Sequence, residues 1–98
     1  MFENLRLDDS ERKALLYAIK DIDDEVFMFG SRLYPDKKGG DIDIMIFSKN
    51  DSLKLSMEIR RRFFMQCEEK IDVLVLDKEN LSEENKSFIN TLNLIKIK

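Results

Sequence analysis

The segment FGSRLYPDKKGGDIDIMIF, from Phe29 to Phe47, joins three unlike pieces of chain. It opens at the end of a short, wholly apolar run, Val26-Phe27-Met28-Phe29, that halts at Gly30, the pattern of a buried strand. Arg32 to Gly40 holds the only proline, Pro35, together with Lys37, Lys38, Gly39 and Gly40, and reads as a loop. Asp41 to Ser48 begins in strict alternation and ends apolar, which predicts a second strand. Residues two apart on a strand face the same way, roughly 6–7 Å apart along the chain. Asp41 and Asp43 thus present two carboxylates together, while Ile42 and Ile44 turn into the core.

Working outward, Asp8 followed by Glu11 predicts a capping box for a helix from about Asp9 to Ile22. Its apolar positions Ala14, Leu15, Ala18, Ile19 and Ile22 fall on one face. Downstream, Ser52 to roughly Glu69 has helical periodicity, with Leu53, Met57, Ile59, Phe63, Phe64 and Cys67 forming an apolar stripe. Arg60 falls inside that stripe. Either its stem packs while its charge reaches water, or the face is partly open to a partner or a nucleotide. Ile71 to Leu76, IDVLVL, is a third strand. A last helix is predicted after Ser82, ending near Asn93 before the strand-like Leu94 to Ile97. The order is α-β-β-α-β-α with a possible short final strand: an α/β fold, a small mixed sheet with flanking helices, in one domain over residues 1–98.

Composition narrows the chemistry. The 98 residues are 43% hydrophobic, enough for one core, but a small domain buries proportionally less surface, so a partner protein would help it. Charged residues make up 38% and the net charge is −3, leaving no basic field for nucleic acid. An acidic chain still binds ATP where a bound cation supplies local positive charge. Cys67 is the only cysteine and there is no histidine, which excludes cysteine zinc clusters, His-ligated metal and imidazole catalysis within this chain. Carboxylates and hard oxygen-seeking metals must carry any chemistry. No apolar stretch approaches the ~20 residues of a membrane span, and Met1 to Asp8 lacks a signal-peptide core, so a cytoplasmic protein without a membrane partner is expected.

Asp72, near the start of the third strand, completes a constellation. If that strand neighbours the second, Asp72 lies about 5 Å across the sheet from the Asp-Ile-Asp pair. Three carboxylates so close repel unless a cation sits between them. Mg²⁺ suits such a site, since it prefers oxygen ligands and takes some of them from substrate phosphates. Two ions ~3.5–4 Å apart hold the attacking and leaving oxygens of an in-line displacement. Gly30 lets the backbone approach a phosphate closely, Ser31 adds a hydroxyl, and Arg32 offers a planar fork for the triphosphate. Lys37 and Lys38 are either a mobile basic lid or ordinary surface lysines.

At Phe29 to Phe47, followed by IDVLVL, the chain resembles the nucleotidyltransferase superfamily that includes DNA polymerase beta and kanamycin nucleotidyltransferase. The shared pattern is hydrophobic-Gly-Ser, about ten residues, then Asp-hydrophobic-Asp-hydrophobic, with a third Asp on a later strand. By length and by its Gly-Ser-Arg form it is most similar to the minimal nucleotidyltransferase (MNT) family. The resemblance implies that Asp41, Asp43 and Asp72 are catalytic metal ligands, with Asp72 also a general base. It implies that Gly30, Ser31 and Arg32 bind the nucleotide, that ATP or another nucleoside triphosphate is the donor, and that Mg²⁺, as two ions, is the cofactor. Many relatives carry Ser before the first Asp, where this chain has Gly40. Larger relatives also carry a C-terminal helical domain, so the acceptor site here is expected to be completed by another protein. MNT proteins commonly pair with a HEPN-domain partner as toxin–antitoxin modules, the antitoxin adenylylating the partner's tyrosine. A homo- or hetero-oligomer fits that setting. The alternative is an antitoxin or scaffold that acts by contact, with a vestigial site.

Overall fold

Asp8 starts the first helix through a reciprocal cap. Its carboxylate accepts the Glu11 amide at 2.8 Å, and the Glu11 carboxylate accepts the Asp8 amide at 2.9 Å. The computed structural model describes residues 5–98; residues 1–4, the front of the stretch read above as lacking a signal-peptide core, lie outside the described residues. Helix α1 spans Asp9–Ile19, shorter than its periodicity suggests. Asp21, Asp23 and Asp24 follow it, and acidic side chains at a helix C-terminus oppose the macrodipole. The Lys98 ammonium supplies the missing charge, donating to the Ile19 and Lys20 carbonyls at 2.8 and 2.9 Å.

Strand β1 (Glu25–Phe29) leads through a 3₁₀ turn at Ser31–Leu33 and a loop to strand β2 (Ile42–Phe47). Helix α2 (Ser52–Cys67) crosses to strand β3 (Ile71–Leu76), and helix α3 (Glu83–Asn90) precedes the short strand β4 (Ile95–Lys96). The sheet order is β3-β2-β1-β4, with β2 and β3 parallel and the other neighbours antiparallel. The mixed sheet with flanking helices is therefore the fold the sequence predicts. A parallel pair needs a crossover, and α2 provides it. Helix α3 starts where Ser82 accepts the Asn85 amide at 3.0 Å. It ends at Asn90, short of Asn93, because the Thr91 hydroxyl donates to the Phe88 carbonyl at 2.7 Å and closes the last turn. No helix among the described residues is long and apolar enough to cross a membrane.

One face of the sheet carries Val26, Met28, Ile42, Ile44, Ile46 and Ile71, all buried under α1 and α2. From α1 come Leu15, Ala18 and Ile19; from α2 come Ile59 and Phe63. The stripe read on α2 splits here. Ile59 and Phe63 face the core, whereas Leu53, Met57, Arg60 and Phe64 face outward, because a helix at the sheet edge buries only the arc that touches strands and α1. The opposite sheet face holds Phe27, Phe29, Met45, Phe47 and Leu74, with Phe88 of α3 packed edge-on to Phe29 at 6.1 Å. Helix α3 buries none of its residues, so this face is thinly covered.

A buried ion pair ties the start of the chain to the loop. Arg32 Nη1 reaches Glu11 Oε1 at 2.9 Å and the Arg6 carbonyl at 2.8 Å, while its Nε donates to the Gly40 carbonyl at 3.1 Å. The Arg6 guanidinium holds the Gly39 carbonyl in the same way. Burial penalises the Glu11 charge, yet the hydrogen bonds from Arg32 and Asp8 outweigh it and keep the carboxyl below its ordinary value. Removing one member of such a pair strands the other's charge. Arg32→Ala should therefore lower stability by about 3 kcal/mol, and Glu11→Ala by a similar amount, measured by urea unfolding at neutral pH. A loss near zero for both would show that the pair is not structural.

Candidate active site

The register of the sheet sets the site. Phe29, the last residue of β1, stands opposite Asp43 on β2, and Asp43 stands beside Asp72 on β3. Adjacent strands lie about 4.8 Å apart, so the Asp43 and Asp72 carboxylates share one patch on the open sheet face. Ile42 and Ile44, which alternate with Asp43, are buried in the core as the pleat requires. A one-residue slip of β2 would bury both aspartates of the motif, so the hydrophobic pattern itself holds the carboxylates outward.

Asp41 lies one residue ahead of the ladder and is exposed, not the first residue of the strand as its alternation suggests. Gly39 and Gly40 precede it at φ values of +65° and +85°, a left-handed pair that cannot continue a strand backward. At Gly40, a Cβ would collide with the Ser31 hydroxyl. The serine that many relatives carry at this position would take up a left-handed backbone here and require the Ser31 hydroxyl to move aside.

Gly30 is constrained more tightly. It sits at φ +85°, and a Cβ there would fall on the Asp43 Oδ2 atom. The Asp43 carboxylate thus lies directly against the Gly30 backbone, with Ser31 next in line at the start of the 3₁₀ turn. Arg32 is placed differently from a free triphosphate clamp. Its Nε and Nη1 are engaged by Gly40, Arg6 and Glu11, leaving Nη2 without a protein partner among the described residues.

Burial raises the Asp43 carboxyl first, and the adjoining Asp72 carboxylate and the Asp41 charge add to it, from the ordinary 3.8 to about 6. Carboxylates that crowd enough to hold a proton near neutrality form a hard-oxygen donor set suited to a divalent cation. A second acidic group, Asp8, Glu11 and Glu69, brings its oxygens within 4.8 Å of one another. Its members are otherwise engaged: Asp8 caps α1, Glu11 holds Arg32, and the neighbouring Glu11 carboxylate pushes the Glu69 carboxyl up. Sequence reasoning took Glu11 only as a cap residue and did not find the Arg32 pair; the one available signal was a glutamate on the apolar side of α1.

A carboxyl whose folded value is raised takes up a proton more readily in the folded state than in the unfolded chain. Stability then falls as pH rises from about 4 to 6, and the full cost is present above that range. After allowance for solvent screening at this half-exposed group, Asp43→Asn should raise the Tm at about pH 7.5 by roughly 4–8 °C, for a gain of about 1 kcal/mol. Below about pH 4 it should change little. Millimolar Mg²⁺ should raise the wild-type Tm more than the variant's. Equal Tm values at both pH values, read by scanning calorimetry, would remove the like-charge account.

A family model described as a nucleotidyltransferase domain matches residues 12–97. No curated protein sequence matches the chain. The family match spans all but the first eleven residues and the last one, and it takes in both register-paired aspartates and the glycine on which one of them rests. On that span and that arrangement, the chain belongs to the nucleotidyltransferase-domain family.

Proposed function

We propose that this protein is a Mg²⁺-dependent transferase that moves AMP from ATP onto a hydroxyl of a partner protein. Family membership supports nucleotidyl transfer from a nucleoside triphosphate. The observation that supports a joint cation and triphosphate site is the placement of Asp43, which is beside Asp72 on one side and against the Gly30 backbone on the other. A phosphate approaching Gly30 and Ser31 meets the carboxylate pair at once, so a cation and a triphosphate are served by one small patch.

In this reading Asp41, Asp43 and Asp72 are the metal ligands. Mg²⁺ held there would supply charge neutralisation on the phosphates and a template for the in-line geometry. Gly30 admits the triphosphate to the backbone, the Ser31 hydroxyl donates to it, and Arg32 holds the loop that carries Asp41 while offering Nη2. Asp72, exposed at the sheet edge, takes the proton of the acceptor hydroxyl. The hydroxyl oxygen bonds to the α-phosphorus as the bond to the bridging oxygen breaks, and pyrophosphate leaves. The likeness to MNT proteins supports a HEPN-domain partner as acceptor, with this chain as antitoxin in the cytoplasm.

A second reading, an antitoxin that acts by contact alone, is favoured by the uncovered apolar face of α2. Transfer of label from α-³²P ATP separates the two. With Mg²⁺ and lysate of the source cell, wild type should label a discrete protein band. Asp43→Asn should lower the rate by roughly 100-fold or more, a loss of about 3 kcal/mol of transition-state stabilisation. Absence of label, with wild type and variant retaining the same bound partner, would favour the contact reading.

A further inference from the structure

Helix α2 presents Leu53, Met57, Phe64 and Met65 to solvent, each between 52% and 66% exposed. The same helix buries Ile59 and Phe63 completely on its inner side, so it is apolar on both sides. A contiguous exposed apolar strip on a small protein marks an interaction surface. Cations are set into it. Arg60 lies within the strip, and the side chains of Arg60, Lys54 and Lys70 make no hydrogen bond or ion pair among the described residues. Arg61, by contrast, is held by Glu58 at 2.7 Å.

Between the end of α2 and the start of β3 the strip opens into a cavity of about 540 Å³, whose lining sets Arg60, Arg61 and Lys70 beside Phe64 and Met65, with Glu69 and Asp72 at the β3 end. Its floor is the outer edge strand of the sheet, and Asp72 belongs to both the cavity and the carboxylate pair. Whatever fills this cavity lies next to the reacting end of the site.

We propose that the α2–β3 groove is the docking site of the acceptor polypeptide, a segment with two or more large apolar side chains flanked by Asp or Glu. Its apolar side chains cover Met57, Phe64 and Met65, its carboxylates meet Arg60 and Lys70, and its hydroxyl is delivered to Asp72. Arg60 and Lys70, whose side chains have no partner among the described residues, attract an acidic occupant on the α2 side of the groove, while Glu69 and Asp72 keep its carboxylates off the β3 end. A second copy of this chain would meet the groove with the same patch, cations included, rather than with a complementary acidic segment. The proposal rests on the protein-acceptor reading above, but docking and transfer are measured separately.

The test selects a displayed random-peptide library on the purified protein and measures the binding of enriched peptides to wild type, Phe64→Glu and Arg60→Glu. Both side chains are exposed, so the variants should keep the wild-type Tm and Mg²⁺-ATP affinity. Enriched peptides should pair apolar anchors with Asp or Glu and bind each variant about tenfold more weakly. Their binding should weaken further with added salt. Equal binding to the variants, enrichment of peptides without acidic residues, or no enrichment would overturn the docking site. So would light scattering that shows a wild-type dimer broken by Phe64→Glu. Peptides that bind as expected, with no label reaching any protein, would defeat the transferase reading and leave the docking site standing. Transfer undiminished in both variants would do the reverse.

Discussion

Asp43 and Asp72 stand side by side on neighbouring parallel strands, Asp72 exposed and Asp43 half-buried with the Gly30 backbone against it. Like charges in that position repel, and burial adds to the cost, which is why the Asp43 carboxyl is pushed up to about 6. The sheet nonetheless holds them there. Ile42, Ile44 and Ile46 are fully buried between the strands and the two long helices, and moving the carboxylates apart would mean pulling those side chains out of the core. Each of them contributes roughly 2 kcal/mol by burial, so the hydrophobic layer outweighs the repulsion on the opposite face.

The loop before Asp43 is held by a different kind of contact. Gly39 and Gly40 leave it little rigidity of its own, and their carbonyls are gripped by Arg6 and Arg32. Arg32 in turn depends on Glu11, whose carboxylate also completes the cap of α1. One buried glutamate therefore joins the first helix, the 3₁₀ turn that carries Ser31, and the glycines next to Asp41. The geometry around the carboxylates is inherited from this chain of polar contacts as much as from the sheet.

The parts of this arrangement differ in how far the sequence alone shows them. The Asp-Ile-Asp-Ile alternation reveals the second strand and the outward face of Asp43, because a period of two has one solution when alternate residues are isoleucine. A helix-length segment between IDIMIF and IDVLVL leaves room for a crossover, but that the third strand neighbours the second stands in the sequence only as a condition, which the parallel register meets. The strand follows from local pattern; the neighbour does not. Nor does the Glu11–Arg32 pair, since its partners are 21 residues apart, the cap motif accounts for Glu11, and the Gly-Ser-Arg motif points Arg32 to a phosphate instead. Helix α2 misleads for another reason. Apolar residues occupy so much of its circumference that periodicity cannot rank the faces, and only packing at the sheet edge decides that Ile59 and Phe63 go inward while Met57 and Phe64 stay out. Asp41 slips out of the strand because two left-handed glycines outrank the alternation.

The central claim is that the Asp43–Asp72 pair, resting on Gly30, is where cation and triphosphate meet. The most direct measurement is diffraction from crystals grown with Mn²⁺ and a non-hydrolysable ATP analogue, with the metal located by its anomalous signal. The account predicts manganese between Asp43 and Asp72, with the triphosphate along Gly30 and Ser31. Manganese held instead by Asp8, Glu11 and Glu69, with the nucleotide away from Gly30, would contradict it.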